Sequence, residues 1–487
     1  MNVFKSINKN LTELKKILNS QDIIFYKFFQ ENRECVAVYV DSLTDKQLLG
    51  DLVIRSIQNL PSYSADEIAK NLANPECKTE SSLDKCVDQV IGGCALIIID
   101  GEENALLIDL KKFEVRAVTE PPTATVLKGP REGFTESIKT NLSLIRRRIK
   151  NRNFKVEYIT AGKYSKTQIA LCYISDVCDL NIVKTLKKSI SSLSVDGVLD
   201  SSYIANQITT KKTSLFKQVG NTEKPDILSA KLLEGRVAII CDGSPICITV
   251  PYLLIEDFQS ADDYYKSYYR ANTERLLRFI SIIFAIYLPA LFVSAQLFHL
   301  QLIPLNFLLT IINSIKGIPL SPSFEMFFTL LIFEMLNEAS IRMPKYVGMA
   351  LSIVGALVVG DTAVRAGIVS TPTIMIMALS GICIYTVPEL VDTMSFLRLT
   401  FLIIAGATGF YGILLATCFL VIYLTSTENF GIPILAPYAP LIKNDLKDSF
   451  YITYIHRMEK RPFSLNPKNV RRRKNKLYKG VNNVENN

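Results

Sequence analysis

Histidine is nearly missing from this chain of 487 residues, which has only His299 and His456. The ten cysteines, at positions 35, 77, 86, 94, 172, 178, 241, 247, 383 and 418, form no CxxC pair. The ligands of a zinc site are therefore lacking, and these cysteines read as small buried hydrophobes, Cys383 and Cys418 within membrane segments. There is no P-loop and no Gly-x-Ser-x-Gly elbow, and neither histidine stands in a catalytic arrangement, so neither an enzyme nor a cofactor site is expected. The N-terminus offers Lys5, Lys9, Lys15 and Lys16 but no apolar core and no small-residue cleavage site. A secretory signal is absent on that pattern, and the front of the chain is expected in the cytosol.

Charge is the next scarcity, and it is local. Residues 1–278 mix charged and apolar side chains as soluble domains do, whereas 279–424 hold long runs with few charges. A spanning helix needs about 20 mainly apolar residues, because the hydrocarbon core is about 30 Å thick and each residue rises about 1.5 Å. Segments 279–298, 323–341, 345–364, 373–388 and 397–424 meet that need, while 302–315 is short and interrupted by Pro304. The net charge of +9 is concentrated in the tail, where residues 443–487 carry twelve Lys/Arg against four Asp/Glu. A polybasic run after a membrane region marks the cytoplasmic side and its anionic lipids, which removes nucleic acid as a partner. With both ends on one side the number of crossings is even, four or six.

The expected fold is an α+β cytosolic region of two related αβ lobes followed by an α-helical transmembrane bundle. Leu11, Leu14, Ile17 and Leu18 recur at helical spacing, so residues 8–30 read as an amphipathic helix, with 1–30 as its own N-terminal unit. In the first lobe the run Cys35-Val36-Ala37-Val38-Tyr39-Val40 is followed by Asp41 and a helical stretch with Leu48, Leu49, Leu52, Val53 and Ile57. The second repeats the order: Ile169-Ala170-Leu171-Cys172-Tyr173-Ile174, then Asp176, then Leu180, Val183, Leu186 and Ile190. Asp100-Gly101 and Asp242-Gly243, each between two apolar runs, predict matching hairpin turns, since Gly accepts φ > 0. This reads as an internal duplication, with lobes over 31–120 and 154–258. The corresponding domains are 31–153 with the connecting loop and helix, 154–270, a membrane domain 271–442, and the tail 443–487.

Between the lobes, Gly129, Pro130, Arg131, Glu132 and Gly133 fix an irregular loop. It reads either as an interdomain or intersubunit joint whose charges pair with acidic residues, or as an anion site using Lys128 and Arg131 near a helix N-terminus. Thr135 is placed to cap that helix, with Glu136 and Asn141 in its opening turns.

Ionisable residues inside spans are costly and so mark candidate functional positions. Glu334, Glu338 and Arg342 are spaced by four and share one face, as an ion vestibule or as a helix lock; Glu325 turns to the opposite face. In the next segment Gly348, Ser352, Ala356 and Gly360 recur every fourth residue, which lets another helix approach closely. The opposite face, Val354, Val358 and Asp361, has the apolar lining and carboxylate that a hydrophobic gate in a cation pore needs.

Several separated motifs carry a family resemblance: Glu120-Pro121-Pro122, Gly129-Pro130-Arg131-Glu132-Gly133-Phe134-Thr135-Glu136-Ser137, Asp242-Gly243-Ser244-Pro245, Glu338-Ala339-Ser340-Ile341-Arg342-Met343-Pro344-Lys345 and Ser352-Ile353-Val354-Gly355-Ala356-Leu357-Val358-Val359-Gly360. In that order they resemble the A subunit of GerA-type spore germinant receptors. The resemblance implies a spore inner-membrane protein with a transporter-like B subunit and a lipoprotein C subunit as partners. It also implies a homo-oligomer, a pentamer in the family, that releases monovalent cations when the partners sense a nutrient. A related channel subunit of the sporulation-operon type shares the pattern. The competing reading is a non-conducting sensor or scaffold.

Overall fold

The computed structural model describes residues 1–61, 63–72, 76–112, 128–344, 347, 355, 358–454 and 457–472. Its front consists of two five-stranded antiparallel sheets. The first lobe runs α1 (Ile7–Ile17), β1 (Ile23–Gln30), β2 (Arg33–Val40), α2 (Ala65–Asn71), β3 (Cys77–Glu80), α3 (Leu83–Ile91), β4 (Cys94–Ile99) and β5 (Ala105–Asp109). The second runs α4 (Ile138–Arg148), β6 (Phe154–Ala161), β7 (Thr167–Ile174), α5 (Leu180–Ser191), α6 (Ser201–Ile208), β8 (Gly220–Thr222), α7 (Pro225–Glu234), β9 (Val237–Cys241) and β10 (Cys247–Val250). The strand orders are β1-β2-β4-β5-β3 and β6-β7-β9-β10-β8, one order written twice.

The expected helix over 8–30 is corrected. Ile7, Leu11 and Leu14 bury one face of α1, but the helix stops at Ile17. After Asn19 and Ser20 the run Ile23-Ile24-Phe25-Tyr26-Lys27-Phe28-Phe29 is β-branched and aromatic, and such side chains favour a pleated surface, so it forms β1. The 1–30 unit is therefore part of the first lobe, whose core joins Ile7, Leu11 and Leu14 to Val36, Val38 and Leu96. By the same logic α4 belongs to the second lobe, with Ile138, Leu142 and Ile145 packed on Val156, Ala170 and Ile240.

Each opening helix is held by the same bonds. Ile7 N–H donates to Asp100 Oδ1 at 3.0 Å and Ile138 N–H to Asp242 Oδ1 at 3.2 Å. Asn10 exchanges two hydrogen bonds with the backbone of Phe4, and Asn141 does so with Thr135. The aspartate of each Asp-Gly turn thus satisfies an orphan N–H of a helix start, which is a structural duty. Ser137, not Thr135, is the N-cap of α4, because the helix begins only at Ile138.

Beyond the lobes the described residues form the helices α8 (Tyr268–Phe298), α9 (Leu305–Ile315), α10 (Pro322–Arg342), α11 (Thr371–Ile384) and α12 (Val391–Ser426), followed by a short ribbon of Glu428–Asn429 against Ile432–Pro433 and an irregular C-terminal segment. Among the described residues two segments, Tyr268–Phe298 and Pro388–Ser426, are long and apolar enough to cross a membrane by length and composition. The second of them is not one rod. A straight helix would put Thr393 and Tyr423 about 45 Å apart at about 1.5 Å per residue. Yet Thr393 Oγ1 donates to Leu215 O at 3.0 Å, and Leu215 N–H donates to the Tyr423 hydroxyl at 2.9 Å. The fold-back is at Gly409, whose φ of 66° and ψ of −150° suit glycine alone. Thus α12 is a hairpin whose apex meets Phe298, the far end of α8. Midway, Tyr287 of α8 touches both arms through Phe401 and Thr417.

Contact order gives the direction of the other helices. Ser323 sits by Gly406 near the apex and Glu334 reaches Arg398, so α10 runs back toward the lobes. Gly355 lies against Leu336 in the later half of α10, and Ser370, at the start of α11, meets Glu325 near the beginning of α10. α11 then returns, and Ile384 and Val387 share a core with Phe216 and Leu253 of the lobe side. α9 begins directly after Pro304 and lies between two far ends, those of α8 and α10.

Candidate functional site

The junction of the second lobe with the helices is the best-defined polar site. A loop around Leu215 holds both feet of the α12 hairpin, with Ser214 Oγ 3.0 Å from the Tyr423 hydroxyl and Lys211 Nζ 3.4 Å from Ser426 O. Lys217 bridges Asp257 at 2.8 Å and Glu389, just before α12, at 2.5 Å. Burial pushes the Asp257 carboxyl up to about 6, against the pull of Lys217. Nearby, Glu256 joins Lys231, at 2.8 Å, and Arg236. Burial alone would raise Glu256, but the two cations outweigh it and hold the carboxyl down at about 2.

A second cluster ties the foot of α8 to the C-terminal segment. Arg275 is fully buried and bonds Asp263 at 3.1 Å and Asp448 at 2.8 Å, and Arg278 reaches Asp263 at 2.8 Å. The described part of the tail packs on the second lobe: Lys468 N–H donates to Val177 O at 2.9 Å, Arg461 Nε to Leu233 O at 2.6 Å, and Arg472 pairs with Glu234 at 3.4 Å. Asp445 supports the fold of this segment by accepting from the N–H groups of Phe463 and Ser464. Lys474 and Lys476 lie outside the described residues.

The joint between the lobes contains its own acidic partner. Glu132 accepts from Arg147 and Arg148, which hold its carboxyl below the usual range despite burial. Gly129 has φ 121° and lies against the Tyr265 ring, where a Cβ would come within 2.7 Å of a ring atom. Gly133 is buried, Pro130 half-buried, and Arg131 and Lys128 exposed. The third arginine of the run, Arg146, turns the other way, as helical spacing requires. It is 1% exposed and forms a bidentate pair at 2.8 Å with Asp22 of the first lobe.

The expected stripe Glu334, Glu338, Arg342 divides. Glu338 and Arg342 pair with each other at 2.5 Å on the exposed end of α10. Glu334 instead reaches Arg398 of α12 at 2.5 Å, and Arg398, 1% exposed, also donates to Ser380 Oγ of α11 at 3.2 Å. Glu325 is buried and accepts from Ser370 N–H and Oγ at the start of α11. Arg398 was not singled out as a partner from the sequence, although an arginine beside an apolar run is signal enough. Of the three gate candidates, Val354 and the side chain of Val358 lie outside the described residues. Asp361 is exposed and paired with Arg365 at 2.7 Å. Cys383 is buried as expected, whereas Cys418 is exposed on the second arm of α12.

Residues 10–464 match the family model described as Bacillus/Clostridium GerA spore germination protein. The chain belongs to the GerA family. A GerA-family relative, spore germination protein KA of Bacillus subtilis (strain 168), is 36% identical across 94% of this chain and 87% of its own length. Spore germination protein GerLA of Bacillus cereus is 33% identical across 85% of this chain and 86% of its own. Among solved structures, the N-terminal domain of the A subunit of the Bacillus megaterium spore germinant receptor GerK3 is similar at 25% identity, over 52% of this chain and 98% of that one, with a TM-score of 0.39. In this GerA-family chain the polar contacts gather at the lobe–helix junction and at the Glu334–Arg398 pair.

Proposed function

We propose that this chain is the A subunit of a spore germinant receptor, acting in the spore inner membrane as one subunit of a homo-oligomeric channel for monovalent cations. A transporter-like B subunit and a lipoprotein C subunit sense the nutrient, and this subunit answers by opening. Membership of the GerA family and the names of its relatives support the receptor role. The order of contacts among α8, α10, α11 and the two arms of α12 supports six crossings, with the lobes and the tail together on the cytosolic face. On this reading the count is even because the fifth apolar stretch crosses twice and 302–315 stays at the far end.

The observation that carries the gating part is the grip on Leu215. One backbone unit of the second lobe is bonded to both feet of a hairpin, so displacing the lobe pulls on the bundle from one point. The pore segment is the one carrying Val354, Val358 and Asp361, where an apolar constriction gates by dewetting. The test is cation flux from vesicles holding the chain with its two partners, with and without germinant. Flux that depends on germinant, and a standing leak in Val358→Ala, are expected; no conductance with all partners and germinant present overturns the channel reading in favour of a scaffold.

A further inference from the structure

The two lobes are copies, yet one edge strand is covered and its counterpart is open. In an antiparallel ladder alternate residues turn N–H and C=O away from the partner strand, so an edge strand offers them to another chain. On β6 these outward groups are taken by the first lobe: Gln21 N–H donates to Val156 O at 3.0 Å, Val156 N–H to Ser20 Oγ at 2.9 Å, and Tyr158 N–H to Gln21 Oε1 at 2.5 Å. Register identifies the counterparts. β1 pairs with β2 from Ile23↔Val40 to Gln30↔Arg33, and β6 with β7 from Phe154↔Ile174 to Ala161↔Thr167. Val156 therefore corresponds to Phe25 and Tyr158 to Lys27. Among the described residues nothing pairs with the outward backbone groups of Phe25 or Lys27. The same open strand exposes Tyr26 by 49% and Phe29 by 59%.

The covering segment also has a counterpart. Residues 18–22 follow α1 and residues 149–153 follow α4 at the same spacing, which makes Asn151 the equivalent of Ser20 and Arg152 that of Gln21. Both are exposed, and among the described residues Arg152 uses its side chain, at 3.6 Å to Asp84 and 3.5 Å to Asp88 of α3, and leaves its backbone groups unpaired. Each chain so carries one used and one unused copy of both halves of a single contact. A contact whose two halves differ joins copies head to tail, and closes into a ring when the rotation allows.

We propose that the β1 edge is the docking surface for a second copy of this chain, whose residues 150–153 take on β1 the place that residues 19–22 take on β6. The inference rests on the homo-oligomer reading above and assigns its surface. Tyr26, the counterpart of half-buried Glu157, is then partly covered at the subunit contact, and the lobes form a continuous belt in which intrachain and interchain joints alternate.

The test uses the full chain in detergent, with mass measured by light scattering across a dilution series. Lys27→Pro deletes one outward N–H and leaves the β1–β2 ladder intact, because proline is tolerated at such edge positions. The variant should need at least tenfold more protein than wild type to assemble, with an unchanged circular dichroism spectrum. Independently, Lys27→Cys and Arg152→Cys together, in a background lacking Cys77 and Cys418, should form a disulfide between chains under mild oxidation. Gln21→Cys with Tyr158→Cys should close within one chain. A wild type that stays monomeric at every concentration overturns the oligomer reading and this proposal with it. An oligomeric wild type matched by Lys27→Pro, with no crosslink between 27 and 152, overturns the surface alone. Should Lys27→Pro misfold, the crosslink decides by itself.

Discussion

Replacing Asp22 by Asn tests whether the two lobes are locked by a buried charge. Asp22 and Arg146 are both fully buried, and the carboxylate accepts from Arg146 Nε and Nη2 and from Ser20 Oγ. Removing one partner of such a pair strands the other charge away from water, at about 3–5 kcal/mol. Arg146 keeps Ser20 Oγ at 3.2 Å and the Phe154 ring at 4.6 Å. A cation over an aromatic face offsets about 1 kcal/mol, which leaves about 2–4 kcal/mol of net loss. Since the pair spans the lobes, the loss should fall on local separation, and it is read from amide hydrogen exchange at Gln21, Val156 and Tyr158 in the full chain. At about 1.4 kcal/mol per decade, those amides should exchange roughly a hundredfold faster, while amides inside β4 and β9 hold their rates. Asp22→Leu with Arg146→Met removes both charges and should recover most of the protection. Exchange in Asp22→Asn within threefold of wild type would refute the lock.

Gly409→Ala should destabilise the α12 hairpin by about 1–3 kcal/mol, because only glycine suits that φ/ψ. The new methyl also comes within 2.9 Å of the Phe298 ring. Thermal unfolding in detergent measures the loss, and Phe298→Ala should return the steric part only. Glu256→Gln leaves Lys231 and Arg236 without their shared carboxylate, a loss of about 3 kcal/mol at neutral pH. In wild type the folded carboxyl sits at about 2, below its ordinary value. Its contribution is therefore complete above about 4.3, the usual glutamate value, and is lost as pH falls through 2. Calorimetric Tm should decline over that window in wild type and less steeply in Glu256→Gln; parallel pH profiles would contradict the assignment. Tyr423→Phe removes the acceptor for Leu215 N–H, worth about 1 kcal/mol. It should reduce germinant-evoked flux with assembly unchanged, and undiminished flux would remove the Leu215 loop from the gating path.

Much of the architecture was legible in one dimension because it depends on periodicity. Continuous apolar runs at 35–40, 95–99, 169–174 and 237–241 became strands, and the two Asp-Gly pairs became turns, since local steric and hydrophobic preferences decide such elements. The N-terminal helix was drawn too long because hydrophobic spacing continues from Leu18 into Ile23, and only β propensity marks the change. The long apolar helices were legible from composition, while the fold-back of α12 depends on one glycine, Gly409, inside a continuous apolar run. Hydropathy averages over such a residue, and a backbone fold-back does not.

What this sequence determined by itself is the kind of each segment: soluble lobes with one repeated pattern, apolar helices, a basic end, and the motifs of a germinant-receptor A subunit. Those properties are sums over neighbours along the chain. Only the tertiary structure decided which charges meet. It sent Arg146 to Asp22, Glu334 to Arg398, Arg275 to Asp448 and both feet of α12 to Leu215. Pairing between distant residues is chosen by burial, where an unpartnered charge is too costly to keep, and that cost arises only once the chain has closed around it.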